Sequence, residues 1–342
     1  MKRLFFFEMK KIFRGKLVWA GILLTLMVTC GGFSDITNVS YEQETDANYE
    51  GILDDELVQR LLADFQPTKE QLAQWQVNVA YIGINDLQQA VHRLFANADG
   101  SWNGKTVEDV FGEETIQVGY HAGWFDFSKN LVKVTMMLGI LTILMVAPVF
   151  AGEYGGMDSL LLTARYGRTK CATAKILAAF CAPLLLTVLF LAGNFLVIWQ
   201  RLGTQGLNSS VLFCGIFYEH YMAFNISCGT MLLYQAGLAV SGIAMLAGMT
   251  ALISALCGNQ VVSLVAAAAV FFGPLMVPVS EMNPLYRIWV LLPVYQVQFS
   301  SLMSMEQIKG NLLYAVVAFP VSAGIAVLGA ILAKACWKRH QT

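Results

Sequence analysis

Residues 236–258 read AGLAVSGIAMLAGMTALISALCG, and none of the 23 carries a charge. Wound as a helix, such a run is about 35 Å long, enough to cross a hydrocarbon layer about 30 Å thick. Comparable runs recur along the 342 residues, which are 56% hydrophobic and only 13% charged. An ordinary soluble domain is about 25% charged. The pattern therefore predicts an all-α polytopic membrane protein. Six transmembrane helices are expected, near 17–33, 131–151, 171–199, 231–257, 261–280 and 311–335. Pro183 and Pro320 fall inside these spans and are expected to kink their helices.

The net charge of −1 conceals a division. Residues 34–130 hold 17 acidic and 5 basic side chains, a net −12, while the remainder holds 17 basic and 6 acidic, a net +11. Cations gather in three places: Lys2 to Lys16, the 152–170 loop, and Lys334 to Arg339. Six spans put those three on one side, and the positive-inside rule makes that side the cytoplasm. Both termini are then cytoplasmic and the acidic 34–130 segment is extracellular. The start of the chain also resembles a secretory signal, basic and then apolar. Met27 and Thr29 fit a lipoprotein cleavage site at Cys30 poorly, so an uncleaved anchor is expected.

Residues 1–16 read as an amphipathic interfacial helix. At helical spacing Phe5, Phe6, Met9, Ile12 and Phe13 share one face, and Arg3, Lys10, Lys11 and Arg14 share the other. Such a helix lies among lipid headgroups, with its cations toward anionic lipid. Gly15 lets the chain turn into the first span. The 34–130 segment reads as a small helical domain. Leu53, Leu57, Leu61, Leu62 and Phe65 recur at helical spacing, Pro67 ends that helix, and Thr68 with Gln71 forms a capping box for a second. A third is expected at 85–96, and β-branched alternation is too sparse to suggest a sheet. Two further outer segments follow. In 200–230 the apolar stretch 211–224 is too short to span and is expected to lie at the outer surface as a helix. The 281–310 segment, with Pro284, Pro293 and several aromatic residues, either dips into the bilayer and returns or packs on the outer ends of the spans.

Signals for chemistry are few. GSWNGKT at 100–106 has three residues between its glycines where a phosphate loop needs four, and reads as a surface turn. The four histidines share no ligand spacing, so no metal site is expected. No nucleophile or carboxylate constellation points to catalysis, and nothing points to nucleic acid. The seven cysteines contain no CxxC. Cys214 and Cys228 both fall in the outer 200–230 segment, where a disulfide between them is one option. The three sequons, at Asn38, Asn208 and Asn225, carry no meaning in the bacterial host we expect. The spans offer small residues for close helix contact and no ionisable residue at mid-depth for an ion relay.

Between the second and third spans runs FAGEYGGMDSLLLTARYGRTKCATAK, residues 150–175. This stretch resembles the first cytoplasmic loop of permease subunits of the type-2 ABC exporter family. The pattern is an acidic residue after the span, a glycine break, a short helix ending Leu-Leu-Thr, then Arg and Lys leading into the next span. Here these are Glu153, Gly155 with Gly156, Leu161-Leu162-Thr163, Arg168 and Lys175. The likeness continues in the basic start FFFEMKKIFRGK, the short inner turn CGNQ at 257–260 and the LLP at 291–293. It implies a dimer of permease subunits, same or homologous, in the cell membrane with separate ATPase subunits. ATP and Mg would be held by those partners and no cofactor by this chain. The loop would be a coupling helix, with Glu153, Gly155, Gly156, Met157, Asp158, Leu160, Leu161, Arg165 and Arg168 as its ATPase-coupling residues. Leucines anchor in a pocket, charges fix orientation and glycines allow sharp turns. About 95 residues between the first two spans is more than many members carry, so the resemblance does not supply the substrate. Drug, antimicrobial peptide and lipid all stay open. The alternative is a membrane sensor or scaffold with a ligand-binding external domain.

Overall fold

A computed structural model describes residues 1–34, 49–64, 86–119, 122–154, 167–213, 225–277, 279–280, 282–303, 307–309 and 312–339. In chain order the elements are α1 (Lys2–Phe13), α2 (Lys16–Ser34), β1 (Gly51–Ile52), α3 (Asp55–Asp64), α4 (Asp86–Phe95), α5 (Val107–Phe111), β2 (Gln117–Val118), α6 (Ala122–Val146) and α7 (Pro148–Ala151). A π-turn at Gly167–Cys171 leads into α8 (Ala172–Leu202). Then come α9 (Cys228–Leu256), α10 (Gln260–Met276), α11 (Tyr286–Trp289), α12 (Pro293–Gln298), α13 (Ser300–Met303), β3 (Gln307–Lys309), β4 (Leu312–Leu313) and α14 (Ala318–Arg339).

Five stretches are long and apolar enough to cross a membrane: Lys16–Phe33, Gly123–Ala151, Thr169–Leu202, Cys228–Leu256 and Tyr314–Arg339. The chain is therefore multi-pass by length and composition. The sixth expected span corresponds to α10, which has 17 residues and is about 25 Å long at 1.5 Å per residue. It starts at Asn259, whose side chain accepts from the Val261 N–H, and it ends before residue 280. Proline behaves differently from the sequence reading at one site. Pro320 lies in the first turn of α14 and not in its interior. There its missing N–H costs nothing. Pro183 does lie inside α8, which runs through it unbroken.

The chain divides into two compact units. The first comprises Met1–Gly31, Leu131–Leu196 and Gln235–Thr342. Its core gathers Leu138, Leu141, Val146 and Phe150 with Ala179, Ile243, Ala247, Phe271 and Trp337, all buried. Small residues let α9 and α14 cross at backbone contact. A Cβ on Gly329 would meet the Gly248 carbonyl oxygen at 2.4 Å, and one on Gly248 would meet the Ala326 Cα at 2.7 Å. At Ala147 the second span breaks, because Pro148 has no N–H to continue the helix. Ser254 repairs the break. Its hydroxyl donates to the Ala147 carbonyl (2.7 Å) and accepts from the Phe150 and Ala151 N–H groups.

Within the 281–310 segment, α12 packs into the core of this unit, while Met282, Leu285 and Ile288 are exposed. Val294, Gln296 and Val297 of α12 are buried. The Gln296 amide oxygen accepts from Ser241 of α9 (2.9 Å) and Ser322 of α14 (2.8 Å), and its nitrogen donates to the Leu291 carbonyl (2.7 Å). Thr135 of α6 donates to the Val297 carbonyl (2.8 Å), and Tyr295 donates to the Pro274 carbonyl (3.2 Å). Phe299 ends α12 at φ +50° and is buried.

The second unit comprises Gly32–Asn130 and Val197–Tyr234. It thus joins two of the segments read as extracellular. Leu57, Val58, Leu61 and Leu62 of α3 pack with Val91 and Phe95 of α4, and with Ile116 and Val118. The helices at 55–64 and 86–95 match expectation, while the second expected helix, after Pro67, lies outside the described residues. A short antiparallel pair corrects the all-helical reading: Gly51 faces Val118 and Ile52 faces Gln117. Two residues per strand are too few to leave an alternation in the sequence. Residues 100–106 form a turn, with Gly100 and Gly104 at positive φ. In 200–230 the described portion holds a 3₁₀ turn at Val211–Phe213 and a bridge between Ser210 and Ser227; residues 214–224, and Cys214 with them, lie outside it. Cys228 is a buried thiol at the start of α9.

Candidate functional site: a buried ionic joint

Lys175 lies in the first turn of α8 and is wholly buried. An ammonium there requires compensation, because desolvating an unpaired charge costs several kcal/mol. Three acceptors supply it: Glu153 Oε1 at 2.6 Å, Glu8 Oε2 at 3.2 Å and the Val149 carbonyl at 3.3 Å. A lysine has three N–H donors, so each finds a partner. Lys11 pairs with the same Glu153 oxygen. Two carboxylates and two ammonium groups neutralise one another.

Local structure explains why these groups meet. Glu8 and Lys11 are three apart on α1, hence on one side of it. Glu153 follows the last turn of α7, where its N–H bonds back to Phe150 (3.0 Å). The Val149 carbonyl is thereby left for Lys175. Aromatic rings pack over the cluster. The Trp337 ring lies 5.9 Å from Lys175 Nζ, 5.6 Å from Tyr154 and 5.4 Å from Phe150. The Trp337 indole N–H points to the Gly167 carbonyl (3.4 Å), and the Tyr154 hydroxyl donates to the Ala255 carbonyl (2.7 Å).

Residues 155–166 lie outside the described residues, and with them Gly155, Gly156, Met157, Asp158, Leu160, Leu161 and Arg165. The two residues flanking that stretch, Tyr154 and Gly167, both touch Trp337. Arg168 lies in the π-turn. Of the residues named from the sequence, Glu153 and Lys175 of the loop pattern and Lys11 of the basic helix face enter the joint directly. Glu8, Lys11 and Lys175 were not read as partners of Glu153. One signal was available: Glu8 is the lone acid among the six bases of residues 1–16, and Glu153 is another of only six acids outside 34–130.

Helix α1, read from its periodicity as interfacial, also packs inward. Met9, Ile12 and Phe13 pack on the core. Phe6 is exposed, Phe5 half-exposed, and Lys10 and Arg14 are exposed. Glu8, in contrast, is turned inward with only 5% exposed. Among the described residues no group of three metal-binding side chains occurs.

No family model, curated protein or solved structure matches the chain.

Proposed function

We propose that the chain is the membrane-spanning permease subunit of an ATP-driven exporter of the type-2 ABC kind. It crosses the cell membrane six times with both termini in the cytoplasm and the 34–130 segment outside. It works as a dimer with separate ATPase subunits and moves a hydrophobic or amphipathic substrate. The observation that supports this most is the footing of residues 155–166. A segment that passes motion between subunits needs rigid ends, and the Glu153–Lys175 pair and Trp337 hold both of them. The residues between include Met157, Leu160, Leu161 and Leu162, apolar side chains suited to a partner's pocket. The second unit, with a core of its own, favours a sensor as the other reading.

The deciding experiment replaces Leu160 and Leu161 by alanine. Losing two anchors costs about 2 kcal/mol or more at an interface, roughly a thirtyfold weakening. Membrane levels of the variant should stay normal while co-purification of the ATPase and transport both fall. The same change at Leu184 and Leu185, inside α8, should not selectively release the ATPase. A Leu160/Leu161 variant that binds its ATPase and transports like the parent would overturn the coupling role. A kinase or regulator co-purifying in place of an ATPase would establish the sensor.

A further inference from the structure

Within the first unit, beside the ionic joint, lies a cavity of about 320 Å³. We propose that it seats one acyl chain of an anionic phospholipid whose phosphate rests at Lys16.

The apolar wall is made by Ile12, Leu17, Leu144 and Met145. These belong to the end of α1, the start of α2 and the end of α6, which lie at one level of the first two spans. Trp19 marks that level independently: it is 59% exposed, and its indole donates to the Phe13 carbonyl at 2.7 Å. A tryptophan with one wet edge and one apolar edge belongs at the headgroup boundary. Leu17, 61% exposed, leaves the cavity a greasy open side. An amphiphile standing in the same leaflet can enter there without leaving the bilayer. The volume is at the lower end for ligand sites. It suits one hydrocarbon chain, the second remaining in the membrane.

Charge selects the headgroup. Two charged side chains line the cavity besides Lys16, and each has an ion partner beside it. Glu8 faces Lys175, and Lys11 faces Glu153, so these cancel. Lys16 lines the cavity, is exposed and has no ion partner among the described residues. The rim is left with one uncompensated cation at phosphate depth. Lys11 belongs to both cavity and joint, so the occupant touches the footing of residues 155–166. The inference rests on reading residues 1–16 as a membrane-surface helix. It does not require an ATPase.

The test uses the full-length protein in detergent, offered equal phosphatidylglycerol and phosphatidylcholine, with retained lipid counted by native mass spectrometry. We expect about one phosphatidylglycerol per chain to persist in preference to phosphatidylcholine. Lys16→Ala should weaken that retention about fivefold, the effect of one lysine at an anionic surface, and Lys16→Glu further. Leu144→Trp should fill the cavity and abolish it. Should Leu144→Trp fold poorly, the two Lys16 variants, at an exposed position, carry the decision. Equal retention of both lipids, or retention indifferent to Lys16, overturns the proposal and leaves an ordinary lipid annulus. Retained lipid together with failure to bind any ATPase would overturn the permease reading and not this one.

Discussion

Lys175 shows how a single side chain can depend on several distant ones. Its ammonium is buried with Glu8 from residue 167 positions upstream and Glu153 from 22 upstream. Lys175→Met removes a positive charge and leaves Glu8 facing nothing. Breaking a buried ion pair from one side costs about 3–5 kcal/mol. The expected result is a clearly lower melting temperature for the purified protein in detergent. Adding Glu8→Gln removes the orphaned charge while Lys11 still satisfies Glu153, and should recover most of the loss. A double variant no more stable than the single one would show that charge balance is not what the cluster supplies. Nothing in the local sequence around Lys175 announces this dependence, because all its partners come from other helices.

At the scale of elements, helix crossings and caps set the limits. The α9–α14 crossing tolerates no side chain at Gly248 or Gly329. Gly248→Ala places a methyl group against backbone, and overpacking of this kind costs about 1–3 kcal/mol. Gly193, in α8, has nothing within 4 Å of its Cβ position. Gly193→Ala should therefore be neutral or stabilising by up to about 1 kcal/mol. Thermal unfolding of the two variants side by side checks the contrast. In the second unit α5 is closed by a capping box: Thr106 N–H donates to the Asp109 carboxylate, and the Asp109 N–H donates to the Thr106 hydroxyl. The bonds from the Thr106 backbone and then its hydroxyl hold the Asp109 carboxyl below the usual aspartate range. A carboxyl lowered on folding contributes stability above its unfolded value, near 4, and loses it as pH falls through the lower folded value. Thr106→Ala removes the hydroxyl's part of that lowering and leaves the backbone bond, so Asp109 moves part of the way back toward its ordinary range. Amide exchange over 107–111 in the full-length protein should then be faster than in the parent at pH 7. The ratio should narrow as acid titrates Asp109; a ratio constant from pH 7 to pH 3 would show no linkage.

For the whole molecule the charge division governs orientation. On the proposed topology, the net −12 in 34–130 against +11 elsewhere puts the acidic segment outside by the positive-inside rule. In a background lacking the native cysteines, a cysteine at Asn103 should react with an impermeant reagent added outside, and one at Tyr166 should not. Labelling of both, or the reverse, would sink the topology. Residues 32–130 and 197–234 group in one unit although they are distant in sequence. Their shared core and the Ser210 to Gln117 backbone bond (2.7 Å) tie the later segment to the earlier one.

By itself the sequence determined what depends on solvent preference and local spacing. Uncharged runs longer than a bilayer is thick must be helices with all backbone groups bonded internally. The leucine spacing at 53–62 and the glycine turns at 100–104 were legible for the same reason: each is a local pattern with a local cause. Tertiary structure decided what depends on meetings between helices. It placed Pro320 in a first turn, drew α12 into the core through Gln296, and turned Glu8 inward to Lys175. Each of those outcomes joins residues far apart along the chain. The free energy comes from desolvation and pairing that exist only once the helices have packed, so no window of the sequence contains it.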